Sequence, residues 1–489
     1  MRSKRVVKNY LYNMGYEVLI LILPIITAPY IARVLGADGI GISNYTSSFA
    51  IVFSVFGKFG IDRYGSKHIA YTRDNKGKRS KTFWNIWLLQ VISSLISIVA
   101  YIIFSTIQGN SLKLLFILQL PVVISSLIDI SWFYIGLENF KKIVVRNTFI
   151  KIISVILIFT LVKSYSDLNK YILINSLSAL LGCITFWNSI FKYVNKLKVS
   201  NINIKPYLRE SFIYLIPQIC IQVYTVVDQI IVGTLSSVTD VGYYSQSLKI
   251  PKMSLAFITS LSMVLMPAIA NLYEKEDIKN IEKYLKSSLQ ITICIGIFGA
   301  SSMAAVANKF VPIFFGEDFN IIIPYMMVNS LIAIIIPIGL VFTNQFTIPT
   351  SKNREYVIPI VLASIVSIIS NLILIPIIGA TGAVITIILT ELTSTILKIV
   401  LIRKYLNMKE LFKGTYIYLL FGSVNFIIVY LSSFIVRTNC ISLLFICGLC
   451  FLVYGALMLI FNNPIKAYLL NLIKSKRKDR KKYFIKGIK

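Results

Sequence analysis

Long apolar runs follow one another along almost the whole of this 489-residue chain. Each is close to the roughly 20 residues that an α-helix needs to cross the hydrocarbon core of a bilayer, and the mean hydropathy is +0.76. The runs are continuous and do not alternate polar with apolar residues, which disfavours a transmembrane β-barrel. We therefore predict an all-α polytopic membrane protein with about 14 transmembrane helices. The predicted spans are residues 10–33, 40–57, 83–105, 113–136, 147–163, 170–191, 210–233, 241–270, 287–307, 321–347, 356–376, 380–402, 412–435 and 441–461.

Lys and Arg are concentrated in every second loop between these runs. If the N-terminus is cytoplasmic, about 40 of the 50 basic residues lie inside and about six outside, as the positive-inside rule requires. Both termini are then cytoplasmic. The same distribution accounts for the net charge of +30 without a nucleic-acid partner, because no nucleic-acid-binding module is recognisable. The first apolar run is too long for a signal peptide and no A-x-A site follows it, so we expect it to be retained.

Two segments two hundred residues apart have the same outline, PYIARVLGADGIGISNY at 29–45 and IVGTLSSVTDVGYYS at 231–245. Leu35 corresponds to Leu235 and Gly41 to Gly242, with one residue inserted. Each pattern predicts two helices joined by a Gly-punctuated turn. The repeat predicts two six-helix lobes of the same topology around a central cavity, related by an axis along the membrane normal. The predicted domains are an N-lobe at 1–195, a cytoplasmic linker at 196–209, a C-lobe at 210–404, two extra helices at 405–462 and a basic cytoplasmic tail at 463–489.

Two cytoplasmic loops are unusual. The sixth, FKYVNKLKVSNINIKPYLRE, is the longest link without a clear span and divides the chain near its middle. The eighth, NLYEKEDIKNIEKYLKSS, alternates charges at helical spacing. That spacing predicts an amphipathic cytoplasmic helix at the eighth loop.

Charged residues inside the spans are the candidate functional residues, because a charge at the centre of an inserted helix costs about 2.5–3.5 kcal/mol. Lys249 and Lys252 lie three apart on the eighth span and so share a face. Arg33 ends the first span, in the corresponding hairpin of the other predicted lobe. Together they could form an anion clamp for a phosphate or diphosphate. Arg33 could instead be an interfacial anchor whose guanidinium reaches the outer headgroups.

Four carboxylates also fall in or beside spans: Glu17, Asp129, Asp228 and Glu391. Each could bind a coupling ion or form half of a buried ion pair. Lys398 lies seven residues after Glu391, on the same helix face. It could pair with that carboxylate, although its nearness to the inner boundary favours snorkelling to the headgroups.

Several classes of chemistry lack their sequence signature. No G-x-x-x-x-G-K-[ST] segment is present, which disfavours ATP-driven transport. The one histidine, His68, falls in a basic cytoplasmic loop, so we expect it to be solvated rather than part of a proton relay. Cys447 and Cys450 form the one C-x-x-C, within an apolar run, where small packing residues are expected. We predict no catalytic residues, no metal site and no cofactor beyond a coupling H+ or Na+.

Three segments resemble one known family. PYIARVLGADGIG, FGIDRYGSKHIA and ISWFYIGLENFKKI are similar to segments of the Wzx-type polysaccharide flippases, in the multidrug/oligosaccharidyl-lipid/polysaccharide exporter superfamily. The resemblance implies a MATE-like fold of two six-helix lobes plus two helices. It also implies movement of undecaprenyl-diphosphate-linked oligosaccharide repeat units across the bacterial plasma membrane by alternating access.

The resemblance further implies a cationic cavity between the lobes, which would suit Arg33, Lys249 and Lys252. The expected partners are the lipid-linked oligosaccharide, membrane lipids, and a polysaccharide polymerase with its chain-length proteins.

Two other functions stay open. An ion-coupled multidrug antiporter on the same fold would favour an acidic and aromatic cavity lining. The basic pair Lys249 and Lys252 argues against this function, while Asp228 and Glu391 are compatible with it.

A membrane-embedded enzyme of the same pathway is the other alternative. A metal-dependent transferase would need an acidic cluster such as D-x-D near the cytoplasmic face, and the sequence contains none there.

Overall fold

The computed structural model describes the backbone of residues 2–196 and 202–466, and their side chains except at 2–21, 110–111, 140–142 and 257–268. Helices account for nearly all of the described residues, and no strand occurs among them. The helices are α1 Arg2–Lys58, α2 Ile61–Thr72, α3 Lys76–Ile107, α4 Asn110–Leu118, α5 Leu120–Ile128, α6 Ser131–Gly136, α7 Phe140–Leu161, α8 Leu168–Ile184, α9 Lys205–Gln222, α10 Asp228–Leu235, α11 Val238–Glu274, α12 Ile278–Phe314, α13 Ile323–Asn329, α14 Ile332–Phe342, α15 Asn353–Ile378, α16 Ala380–Ile402, α17 Met408–Leu411, α18 Tyr416–Ile435 and α19 Cys440–Ile460.

Twelve helical segments within the described residues are long and apolar enough to cross a membrane. The first, Ile22–Thr72, covers 51 residues and therefore takes in residues 22–33 of the first predicted run and the whole of the second. The eighth predicted run falls in α11, where side chains 257–268 are outside the described set. The all-α polytopic class is confirmed, and the count of 14 spans stays a prediction.

The turn predicted in the first hairpin is present at Gly36. This residue has φ 64° and ψ −175° and separates two long helical stretches of α1. A left-handed backbone of this kind strains any residue with a Cβ atom, and glycine adopts it without that strain. The helix α1 is therefore broken by a kink at the first glycine of the LGADGIG segment.

The eighth loop, predicted to form one amphipathic cytoplasmic helix, is divided between two helices. The helix α11 ends at Glu274, Glu276 has φ 57°, and α12 begins at Ile278 and continues to Phe314. Asp277 caps the new helix by accepting hydrogen bonds from the Asn280 side chain (2.6 Å) and backbone N–H (3.1 Å). These bonds hold the pKa of Asp277 below its usual value. A helix cap in mid-segment thus overrides the continuous helical charge pattern.

The described residues form two packing units. One unit takes Met1–Ser245 and Ser367–Ala383, and the other takes Gln246–Val366 and Val384–Lys489. The first unit therefore keeps α9, α10 and the start of α11 with the N-terminal helices. The units do not coincide with the lobes predicted to divide at 196–209, and the lobe boundaries stay a prediction.

All four tryptophans of the chain lie in one aromatic cluster of the first unit, which we call the tryptophan cluster: Trp84, Trp87, Trp132 and Trp187 with the adjacent Phe83 and Phe133. The Trp132 indole donates to Gln90 Oε1 (2.9 Å). A methyl group on Gly65 would lie 2.6 Å from the Trp132 ring. Helix α2 can pack against this ring only because position 65 has no side chain.

The sixth loop, residues 191–210, contains the predicted linker and is attached to the start of α3. The Arg79 guanidinium donates to the Tyr193 carbonyl oxygen (2.6 and 3.1 Å), and the Trp84 indole donates to that of Asn195 (2.8 Å). Beyond residues 197–201, the Asn203 N–H donates to Asn85 Oδ1 (2.6 Å). The described parts of the linker are therefore fixed to the first packing unit on both sides of the undescribed residues.

In the second unit, α12 is the central helix and the C-terminal pair α18 and α19 packs against it. The Tyr454 hydroxyl donates to the Cys294 carbonyl oxygen (2.9 Å), and Asn425 Nδ2 donates to Ser301 Oγ (3.0 Å). Gly422 lets α18 approach closely, since a methyl group there would lie 2.3 Å from Ile297 Cγ2. Small residues and interhelical hydrogen bonds are the usual means of joining helices in lipid.

Candidate functional site

The two repeated hairpins pack directly against each other within the first unit. A methyl group on Gly41 would lie 1.8 Å from the Val238 carbonyl oxygen, and one on Gly242 would lie 2.0 Å from that of Ala37. The two contacts are reciprocal, because 37 corresponds to 238 and 41 to 242. Two copies of one hairpin therefore meet about a local pseudo-two-fold axis, backbone against backbone.

Hydrogen bonds flank this glycine contact. Asn44 Nδ2 donates to Ser245 Oγ (2.7 Å), and Thr239 Oγ1 donates to Asp38 Oδ1 (3.1 Å). The Tyr165 hydroxyl donates to the other oxygen of Asp38 (2.6 Å). The bonds between the hairpins again join residues 201 apart. The correspondence of Gly41 with Gly242 therefore extends over the eight positions from Ala37 to Asn44.

The other predicted correspondence, Leu35 with Leu235, does not extend to burial. Leu35 is 1% exposed, whereas Leu235 is 41% exposed. The helices meet in a register in which corresponding residues are 201 apart. Leu35 and Leu235 are 200 apart, because the inserted residue follows them, and they therefore fall outside that register. The pseudo-symmetry is thus confined to the side of the turn that follows the insertion.

Asp228 is a buried carboxylate in the first unit, with an exposed fraction of 1%. Its Oδ1 accepts from Asn371 Nδ2 (2.6 Å) and Ser367 Oγ (3.0 Å), and its Oδ2 accepts from the Tyr244 hydroxyl (3.2 Å). The residue follows a π-helical turn, Val223–Val227. Single π turns in membrane helices are frequent beside functional groups, and the donors of this pocket come from α11 and α15.

Asp129 belongs to an ion pair with Lys58. The distance from Lys58 Nζ to Asp129 Oδ2 is 2.8 Å, and that to Asp62 Oδ2 is 3.2 Å. The remaining oxygen of Asp129 accepts from the Ser131 N–H (2.9 Å). The Asp129 side chain is mostly buried and that of Asp62 is more exposed. The negative charge of Asp129 is therefore already paired with the Lys58 ammonium.

We expect Asp129→Asn to lower the free energy of unfolding by roughly 2 kcal/mol, because the substitution leaves the Lys58 ammonium with only the more exposed carboxylate of Asp62. Asp62→Asn, at the more exposed carboxylate of the same lysine, should cost less than about 1 kcal/mol. Thermal unfolding of the detergent-solubilised protein, followed by tryptophan fluorescence, measures both. Equal losses for the two variants would contradict the assignment of the stronger pair to Asp129.

The three predicted cavity cations are divided between the units. Arg33, in the first unit, is exposed, and its Nη1 lies 3.4 Å from the Pro29 carbonyl oxygen of its own helix. Lys249 and Lys252, in the second unit, are both half-buried on α11. They follow the buried polar residues Gln246 and Ser247 on that helix. The structure describes each cation within its own unit, and their meeting in one cavity stays a prediction.

Lys398 is buried in the second unit, with an exposed fraction of 9%. A methyl group on Gly339 would lie 3.3 Å from its Nζ, so this glycine makes space for the ammonium. Glu391 lies two turns earlier on α16 and is half-buried. This burial differs from the prediction that the Lys398 side chain snorkels to the headgroups, because α14 approaches α16 closely at Gly339.

Glu17 lies outside the residues whose side chains are described.

His68 also differs from its prediction as a solvated loop residue. It lies in α2, its Nε2 is 3.3 Å from Glu210 Oε2, and its ring is 4.3 Å from that of Tyr64. The loop that carries it is helical and packs against the start of α9.

Sequence reasoning missed the partners of Asp228. Ser364, Ser367 and Asn371 are buried and spaced i, i+3 and i+7 along the apolar run of α15. This spacing puts them on one helix face, which is a signal that the sequence contains. What the sequence lacks is any indication that the face meets a carboxylate 139 residues earlier.

The sequence model of a family described as "Polysaccharide biosynthesis protein" matches residues 6–273, more than half of the chain. A "Putative O-antigen transporter" of Escherichia coli (strain K12) is 22% identical over 370 residues, which is 74% of this chain and 88% of the relative. A protein of the same name from Shigella dysenteriae is 20% identical over 367 residues, covering 74% and 91%.

Solved structures show the same fold. One titled "Lipid II flippase MurJ, inward closed conformation" gives a TM-score of 0.72 at 15% identity, covering 96% of this chain and all of that one. An inward-facing multidrug resistance MATE family transporter of the MOP superfamily gives 0.57 at 14% identity, covering 78% and 97%. The predicted MATE-like fold is therefore confirmed.

Proposed function

Because this chain belongs to the polysaccharide biosynthesis protein family, we propose that it is a flippase for undecaprenyl-diphosphate-linked oligosaccharide repeat units. It would move them across a bacterial plasma membrane by alternating access, for capsular, exopolysaccharide or O-antigen synthesis. Two findings support the proposal: the family model matches residues 6–273, and the fold is similar to that of a lipid flippase. The relatives are named as transporters, which supports a multi-pass transport protein and not an enzyme.

The hairpin contact supports alternating access. With the N-terminus inside, the turns at Gly36 and Ser236 lie on the outer face, so the joined hairpins would close that side. The contact is made by glycine backbones and a few hydrogen bonds, without interdigitated large side chains. Helices joined in lipid by small residues hold through close packing. Such a contact can open and re-form during each cycle without exposing a large apolar surface.

The cations supply the proposed recognition of the diphosphate. Lys249 and Lys252 are half-buried on one face of α11, and charges in a membrane span are rarely kept without a functional partner. Two ammonium groups and the Arg33 guanidinium are donors suited to the anionic oxygens of a diphosphate. In this proposal they bind the headgroup in the inward-open state and release it when the outer hairpins separate.

Asp228 is the proposed site of ion coupling. A carboxylate at 1% exposure that accepts hydrogen bonds from two hydroxyls and an amide can bind H+ directly or Na+ through its oxygens. It lies in the same hairpin as the Gly242 contact, so the ion would bind where the helices move. Asp129 is less suited to coupling, because Lys58 already pairs with it.

Liposome reconstitution tests the proposal. We expect purified protein to carry a labelled lipid-linked oligosaccharide to the opposite leaflet, and Lys249→Gln with Lys252→Gln to reduce the rate at least tenfold. Lys279→Gln with Lys283→Gln is the matched control, since those lysines are exposed on the first turns of α12. Equal loss in the control would contradict the role of the α11 pair. Retained lipid movement with lost drug-cation export would favour the multidrug antiporter instead.

A further inference from the structure

A basic cavity lies beside the start of α9, at the cytoplasmic end of a candidate span. Its volume is about 600 Å³, and it is lined by Asn203, Lys205, Pro206, Arg209, Glu210 and Ile213. The proposed transport path uses none of these residues. Among the described residues, neither Lys205 nor Arg209 has an ion-pair or hydrogen-bonding partner. The cavity therefore presents two cations whose charges the described chain leaves unmatched.

The exposed face of α9 changes character along its length. The cations Lys205 and Arg209 are followed at the same four-residue spacing by Ile213, which is exposed. Phe212 and Ile216 continue the exposed apolar surface. From Arg209 to Ile216 the helix rises about 10 Å, which is the distance from a headgroup to the upper part of an acyl chain. This face thus offers charge at one end and an apolar track beyond it.

The walls of the cavity are fixed by hydrogen bonds to the first packing unit. The Asn203 N–H donates to Asn85 Oδ1 (2.6 Å), and Ser211 Oγ donates to the Phe59 carbonyl oxygen (2.6 Å). A methyl group on Gly60 would lie 2.4 Å from the Ser211 carbonyl oxygen, so α9 touches the backbone there. The site is therefore built on packed helices.

The acidic lining residue is engaged with α2. Glu210 Oε2 lies 3.3 Å from His68 Nε2. Lys67 is close by, where its Nζ donates to the Tyr214 hydroxyl (3.1 Å). The local charge is therefore positive: Lys205, Arg209 and Lys67 outnumber the single carboxylate.

We propose that this cavity binds an anionic glycerophospholipid of the cytoplasmic leaflet. Its phosphate would lie between Lys205 and Arg209, with an acyl chain along Ile213 and Ile216. Basic pockets at the cytoplasmic ends of membrane helices recognise such headgroups, and each basic residue strengthens the attraction about fivefold. The site depends on the orientation proposed above and is independent of what the protein transports.

The tryptophan cluster provides the assay, because the Trp84 indole is bonded to the linker that leads to this cavity. Full-length protein in mixed micelles is titrated with dansyl-labelled phosphatidylglycerol or dansyl-labelled phosphatidylcholine, and tryptophan-to-dansyl energy transfer is measured. We expect a preference for phosphatidylglycerol that falls on the order of twentyfold in Lys205→Gln with Arg209→Gln. The charge-preserving pair Lys205→Arg with Arg209→Lys should keep it.

Lys279→Gln with Lys283→Gln, which removes two exposed cations elsewhere, is the control and should also keep the preference. Unchanged preference in the first double variant, or equal loss in the control, overturns the site. Displacement of the lipid by inorganic diphosphate at lower concentration than by unlabelled phosphatidylglycerol would also overturn it, in favour of a diphosphate site. If the double variant does not fold, the two single glutamine variants decide, each with an expected loss of about fivefold. The assay needs no transport, so its failure leaves the flippase proposal standing.

Discussion

Gly41→Val should reduce transport at least tenfold while leaving the protein folded. A methyl group at this position would already lie 1.8 Å from the Val238 carbonyl oxygen, well inside van der Waals contact. The atom that blocks it is backbone, which cannot rotate away as a flexible side chain can. The two hairpins would therefore be held apart, and the state closed on that side could not form. Gly242→Val should have the same effect through the reciprocal contact with Ala37.

Cysteine cross-linking separates a gating effect from misfolding. In a background without the six native cysteines, Asn44→Cys with Ser245→Cys should form a disulfide, because these side chains now meet at 2.7 Å. Adding Gly41→Val should prevent the bond. Gly448→Val is the matched control, since no atom lies within 4 Å of a methyl group there. Cross-linking with full transport would refute opening at this contact.

Asp228→Asn should abolish the dependence of transport on an ion gradient. The amide keeps the size of the side chain and can still accept a hydrogen bond from Asn371 or Ser367, but it cannot take up a proton or neutralise a cation. We expect the free energy of unfolding to fall by less than about 2 kcal/mol. The measurement is flippase rate in proteoliposomes with imposed H+ or Na+ gradients.

The contrast with Asp129→Asn makes this second experiment decisive. That substitution should destabilise the protein, because it breaks the pair with Lys58, yet leave the response to the gradient intact. If Asp228→Asn retains its gradient response, or Asp129→Asn loses it, the assignment of coupling to Asp228 fails. If the transport rate of the unsubstituted protein does not depend on either gradient, the hypothesis of ion coupling is wrong.

The sequence predicts the elements of this fold well because lipid imposes simple rules. Apolar runs must be helical to satisfy their backbone groups, and Gly36 marks the break in α1 as its position in the LGADGIG segment indicates. The repeat also identified Gly41 and Gly242 as corresponding residues. It could not show that they touch, because a local pattern carries no information on the approach of segments 201 residues apart.

The remaining predictions were limited because they depend on contacts between residues that are far apart in the sequence. Nothing near Asp129 in the sequence distinguishes it from Asp228, yet one meets Lys58 and the other meets Ser367 and Asn371. The charged segment 271–288 carries a helical pattern throughout, and the break at Glu276 depends on a local cap that the pattern obscures. Burial of Lys398 likewise depends on the absence of a side chain at Gly339, on a different helix.

The attachment of the linker to α3 restricts where this molecule can bend. Because Arg79, Trp84 and Asn85 secure the residues that lead into α9, the first turns of that helix behave as a fixed base. Separation of the hairpins must then be taken up farther along. Beyond Pro217, which lies inside α9, the irregular point nearest to the hairpin is the π-helical turn Val223–Val227. That turn immediately precedes Asp228, so the pivot of the proposed motion and the carboxylate would be adjacent in the chain.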